Sequence, residues 1–104
     1  MENDIQIQAQ AAAFRRVVQY FQDHPEIQNI DMMITAGFCR NCLTKWYATG
    51  VEEAGGKQDV KLAQAFVYGM SYDEWKHKHQ TEASPEQLQA YAAAQKKRQQ
   101  AKNA

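Results

Sequence analysis

A surplus of charge of either sign is absent from this sequence: twelve lysines and arginines stand against twelve aspartates and glutamates. No whole-chain field therefore draws it to nucleic acid or to an anionic membrane surface, and neither partner is expected. Long apolar runs are missing as well, and the N-terminus lacks the basic, apolar, small-residue order of a signal peptide, so no membrane association is expected and a cytoplasmic location is. Cysteine is scarce. Two residues, Cys39 and Cys42, cannot build a disulfide scaffold, and in a reducing compartment they are expected to be free thiols. Strand signals are wanting too, because β-branched residues nowhere alternate with polar ones between turn residues, and no internal repeat is evident. What these absences leave is helix, and at 104 residues one domain with one modest core.

Helical spacing is present along most of the chain. Phe14, Val17, Val18 and Phe21 follow the i, i+3, i+4, i+7 rule within a first helix from about Asp4 to Gln22. Pro25 disfavours helical geometry in His24 and ends it. Ile27, Ile30, Met33 and Ile34 carry a second helix up to Gly37, with Asn29 or Asp31 as possible caps. A third segment runs from the Gly37 break to Ala54-Gly55-Gly56, where paired glycines suit a left-handed stop. A fourth, from Asp59 or Val60 to Tyr68, closes at Gly69. Ser71 with Glu74 has the form of a capping box before a short helix from Tyr72 to about His79, and Ser84, Pro85 and Gln87 repeat that logic before a last helix. Beyond Gln95 no apolar face continues, so residues 96–104 are expected to be a frayed, basic, polar tail to a single domain of residues 1–95. The fold class expected is all-α, an irregular array of five or six short helices, with Trp46, Tyr47, Tyr68, Tyr72 and Trp75 read as core.

One constellation could carry chemistry. In Gly37-Phe38-Cys39-Arg40-Asn41-Cys42-Leu43 the two cysteines are three apart, and a regular helix would put both on one face with Leu43 and Trp46, while Arg40, Asn41 and Lys45 lean away. Two thiolates on one face can grip a soft or borderline metal or close a disulfide. In Tyr72-Asp73-Glu74-Trp75-Lys76-His77-Lys78-His79, His79 shares the stripe of Tyr72 and Trp75 and is the better histidine ligand. Cys39, Cys42 and His79 are thus the candidate metal ligands. Asp31, His24, His77 or a second subunit would fill the fourth position, with zinc preferred over iron for two thiolates and an imidazole.

The stretches Ala12-Ala13-Phe14-Arg15-Arg16, Gln28-Asn29-Ile30-Asp31, Gly37 to Leu43 with Trp46-Tyr47, Tyr68-Gly69-Met70, and Glu74-Trp75-Lys76 with Lys78-His79-Gln80-Thr81-Glu82-Ala83 resemble a family of short bacterial proteins, domain of unknown function number 1244. The resemblance runs from Ala12 to about Tyr91. It implies an all-helical fold and a bacterial origin, and it implies no activity.

Two further readings stand beside the metal site. A helical interaction module or homodimer, its cysteines merely packed in the core, would need an exposed apolar surface for a second copy or another protein. A thiol–disulfide protein would need an activated thiol, for which Gly37 as a break and Arg40 as a neighbour provide, although the strand that precedes such motifs in thioredoxin-like folds is missing. The basic cluster Lys96, Lys97, Arg98 and Lys102 reads as cations at the negative end of a helix dipole.

Overall fold

Local stop and start signals divide the chain into six helices, described by a computed structural model over residues 3–103. They are α1 (Asp4–Asp23), α2 (Asn29–Ala36), α3 (Arg40–Glu53), α4 (Val60–Tyr68), α5 (Tyr72–His79) and α6 (Pro85–Asn103). The all-α class is as the sequence pattern indicates, and the breaks fall where His24-Pro25, Gly37, Gly55-Gly56 and Gly69 place them. Gly37 and Gly69, with φ of 84° and 75°, take the left-handed conformation that closes α2 and α4. The first helix has the length expected, 20 residues, whereas α6, with 19, runs beyond the point where fraying was expected.

The helix starts are capped by short-range bonds. Asn3 and Gln6 form a reciprocal capping box on α1, and Ser84 and Gln87 form another on α6. At α2 the N-cap is Gln28, whose amide donates to the Asp31 carboxylate at 3.0 Å, in place of the Asn29 or Asp31 cap expected.

The core gathers around α4, which packs against α1, α3 and α5, while α6 packs on α2. Ala63, Val67 and Tyr68 of α4 are almost fully buried, and Leu43 and Trp75 complete the centre, with Phe14, Phe21, Phe38 and Phe66 around it.

The helix ends are closed at long range. The last four carbonyls of a helix have no partner within it, and here side chains of other segments supply one. Arg40 donates to Phe21 and His24 carbonyls at the end of α1, both at 3.2 Å. Arg98 donates to Met33 and Ile34 carbonyls of α2 at 2.8 and 2.9 Å. Gln22 donates to the Phe66 and Val67 carbonyls of α4, and Gln28 to the His79 carbonyl of α5 at 2.8 Å. Arg98 lies in the segment expected to fray, but α6 continues as helix through Asn103. Alanine, glutamine and lysine sustain it there without an apolar face, and the Arg98 anchor ties it to α2.

Candidate functional site

The inward face of α3 differs from the one its apolar residues predict. Arg40, Leu43, Thr44 and Ala48 are buried, whereas Trp46 is 57% exposed. Relative to the Cys39, Cys42, Leu43, Trp46 face, the helix is turned by roughly one residue's step of ~100°. Arg40 is the cause.

The Arg40 side chain is 1% exposed, and its partners are carbonyl oxygens, an amide oxygen and the Met32 sulfur rather than a carboxylate. Besides the α1 carbonyls it donates to the Ile27 carbonyl at 2.7 Å and to Asn29 Oδ1 at 3.1 Å. Its guanidinium lies 4.8 Å from the Trp75 ring centroid and 5.4 Å from that of Phe21. Desolvation lowers its pKa, the direction burial imposes on a cation. It stays charged because carbonyl dipoles and aromatic faces replace water around it.

From Arg40 a polar chain leads outward. Asn29 Oδ1 also accepts from the Arg40 amide, and its Nδ2 donates to the Tyr68 hydroxyl at 3.1 Å. That hydroxyl donates to Asn41 Oδ1 at 2.6 Å, and Asn41 Nδ2 reaches the Tyr72 hydroxyl at 3.5 Å. Among the described residues no buried side-chain nitrogen or oxygen lacks a partner. The chain ends at a cleft of about 450 Å³ lined by Asn29, Ile30, Asn41, Tyr72, Thr81 and Glu82, among others. Four segments distant in sequence meet there because Gln28 fastens the linker after α5 to the start of α2, donating to His79 and accepting from the Thr81 amide at 3.0 Å. The lining offers amides, hydroxyls and one carboxylate, so it can hydrogen-bond a polar molecule.

Burial pushes the Tyr68 pKa well above its ordinary value, against the smaller lowering effect of the Asn29 hydrogen bond. An acid whose pKa is raised by folding binds its proton more tightly in the native state. Stability from this group is complete below the unfolded pKa of about 10 and falls as pH rises past it. Urea unfolding between pH 9 and 11.5 should therefore show stability dropping by up to about 1.4 kcal/mol per pH unit above pH 10. Tyr68→Phe should shed that part of the slope; an unchanged slope would place the alkaline sensitivity elsewhere.

The two cysteines share the first turn of α3, but the predicted ligand set of three is not assembled. Among the described residues no three His, Cys, Asp or Glu side chains are placed to hold a metal ion. Cys39 is the N-cap of α3, with extended backbone at φ −139° and ψ −174°, so it precedes the regular spiral on which the shared face was drawn. It is buried, while Cys42 in the first turn is half-buried. The His79 ring packs on Trp75, with centroids 6.0 Å apart. Of the fourth ligands considered, Asp31 spends its carboxylate on the Gln28 amide and on Gln87 Nε2 at 2.9 Å. His24 pairs with Glu26 at 3.0 Å and stacks on Tyr20, and His77 is exposed.

A second surface was not foreseen as a surface. Phe14 of α1, Tyr47 of α3 and Phe66 of α4 stack together, with centroids 4.8 to 6.3 Å apart. Beside them Phe14, Trp46, Tyr47, Gly50, Val51 and Ala54 line an open apolar groove of about 420 Å³. The apolar spacing that marked Trp46 and Tyr47 as core is the same spacing that makes an exposed stripe. Ile7, Ala11, Phe14, Val18 and Phe21 also form one continuous stripe of α1, spaced alternately four and three apart. Its lower half packs inward, but every residue from Asp4 to Ala13 is exposed.

Among the described residues no helix is long and apolar enough to cross a membrane. Comparison with curated proteins finds no match. The family described as "Protein of unknown function (DUF1244)" matches residues 27–93, the span that holds Arg40, the cysteine pair and the whole lining of the polar cleft. Resemblance in scattered motifs and a match over most of the length agree, and the chain belongs to this DUF1244 family of proteins of unknown function.

Proposed function

We propose that the protein is a helical interaction module that works as a two-fold homodimer, a second copy covering the aromatic groove and the outer half of α1. The observation that carries this reading is surplus surface. A compact monomer of 11.9 kDa exposes about 6,000 Å², and this chain exposes 7762 Å². Its radius of gyration of 15.8 Å likewise exceeds the roughly 13 Å of a compact domain of this length. The excess of roughly 1,800 Å² per chain is the amount an obligate homodimer of about 2,000 to 5,000 Å² total interface would bury.

The surplus also has a place. Ile5, at 78% exposure, Ile7, at 52%, and the alanines of α1 extend past the core on a helix with nothing beneath it. A ten-residue helical overhang is marginal in water by itself, so its order is best supplied by packing. Ala11 and Ile7 lie one and two turns from Phe14 on the same stripe, which makes the overhang continuous with the groove. One such self-complementary patch on each copy satisfies a two-fold axis.

Sedimentation equilibrium of the full chain should give twice the 11.9 kDa chain mass at micromolar concentration. Ile7→Glu and Trp46→Glu, both at positions exposed in the protomer, should retain helical circular dichroism and weaken association about 100-fold or more, the effect of a charge in an apolar contact. A monomer mass at every concentration up to the millimolar range would refute the homodimer.

A further inference from the structure

The N-terminus of α3 carries a feature that dimerisation does not require. We propose that Cys39 and Cys42 form a dithiol that exchanges with low-molecular-weight disulfides and closes to an intramolecular disulfide, with Cys42 as the entry thiol and Cys39 as the resolving thiol.

The geometry comes from the way helices begin in this same chain. At α1 and α6 the N-cap and N3 side chains each reach across the first turn to the other's backbone. Asp31, at N3 of α2, reaches back to its N-cap in the same way. Cys39 and Cys42 occupy these two positions at α3. The Cys42 amide donates to the Cys39 carbonyl at 3.0 Å, closing the turn. Such a bond holds the two Cα atoms within about 7 Å, against the roughly 4.4 to 6.8 Å that a disulfide spans. Capping does not account for the pair, because the Cys39 side chain makes no cap hydrogen bond and cysteine is not among the favoured caps. Their burial differs in a way that assigns roles: Cys39 is 8% exposed, and Cys42 is the more open of the two.

The chemistry balances with one external disulfide, RS–SR. Cys42, having given its proton to solvent, attacks one sulfur, forms Cys42–S–S–R and releases RS⁻, which takes up a proton. Cys39 then gives up its proton and attacks the Cys42 sulfur, forming the Cys39–Cys42 bond and expelling the second RSH. Two protein thiols are oxidised and one disulfide is reduced to two thiols.

The full chain, freed of reductant, is incubated with glutathione disulfide and followed by intact mass. The wild type should end lower in mass by one H₂, with both thiols lost to a thiol reagent and no glutathione attached. Cys39→Ser should accumulate a stable glutathione adduct on Cys42, and Cys42→Ser should react more slowly by roughly tenfold or more, since Cys39 is shielded. Circular dichroism confirms that each variant is folded. Wild type that keeps both thiols, or that stops at a glutathione adduct, overturns the dithiol. Cys42→Ser reacting as fast as Cys39→Ser overturns the assignment of roles.

Discussion

Replacing Arg40 by methionine should lower the unfolding free energy by about 3 to 5 kcal/mol, one of the two largest effects expected in this chain. Methionine fills much of the volume, so the loss is chiefly that of donors. Carbonyls of Phe21, His24 and Ile27 and the Asn29 amide oxygen would be left without the guanidinium that they now share. An unpartnered buried acceptor costs about 1 to 3 kcal/mol, and water can reach some of the four. Arg40→Lys keeps the charge but offers one nitrogen to acceptors that flank a planar fork, and should cost about 2 to 3 kcal/mol. Urea unfolding followed by far-ultraviolet circular dichroism reads both, and the methionine variant should melt roughly 15 to 30 °C below the wild type. A loss under about 1 kcal/mol for methionine would mean that the carbonyls are solvated in the native state and that Arg40 is a passenger.

Trp75→Ala should be comparably damaging, at about 3 to 5 kcal/mol, because it empties the largest aromatic site of the core. Trp75 is 2% exposed and touches three groups at once: the Arg40 guanidinium, the Tyr68 ring at 5.2 Å and the His79 ring. The loss should not be additive with that at Arg40. A cation over an indole face in a water-free setting contributes about 2 kcal/mol, so a double-mutant cycle between Trp75→Phe and Arg40→Lys should give a coupling of about 1 kcal/mol. Additivity within about 0.3 to 0.5 kcal/mol would reduce the pair to neighbours that share space.

These two residues also show what the amino-acid order discloses and what it conceals. Most helix boundaries were legible because they rest on local signals: Pro25 just past the end of α1, Pro85 at the start of α6, Gly37 and Gly69 at left-handed stops, Ser71 and Ser84 as caps; the Gln28 cap of α2 and the continuation of α6 to Asn103 were not. Ordinary periodicity also found the apolar stripe of α1. It failed on α3, since a hydropathy pattern counts arginine as outward and tryptophan as inward. Arg40 is buried because the carbonyls that end α1, sixteen to nineteen residues earlier, need its donors. Trp46 is exposed because the face that Arg40 occupies was no longer free. The candidate metal centre turned on a long-range placement that spacing does not carry: the interval of three keeps Cys39 and Cys42 in one turn, but nothing local says whether a third ligand joins them, and among the described residues none does. The polar cleft had no local signal at all. Asn29, Asn41, Tyr72 and Thr81 are ordinary surface residues until Gln28 ties the linker after α5 to the start of α2.

The long-range closure of helix ends has a consequence for how the chain tolerates change. An end stopped by its own glycine can shift along the sequence without disturbing anything distant. Here the stoppers Arg40, Arg98, Gln22 and Gln28 are each rooted in a different element from the end they close. Inserting one residue into α1, α2, α4 or α5 would swing its terminal carbonyls by ~100° about the axis and advance them by ~1.5 Å, out of register with a stopper that has not moved. The helices therefore gauge one another's lengths, and insertions are accommodated in the Gly55–Gln58 loop or at the chain ends, where no such gauge applies.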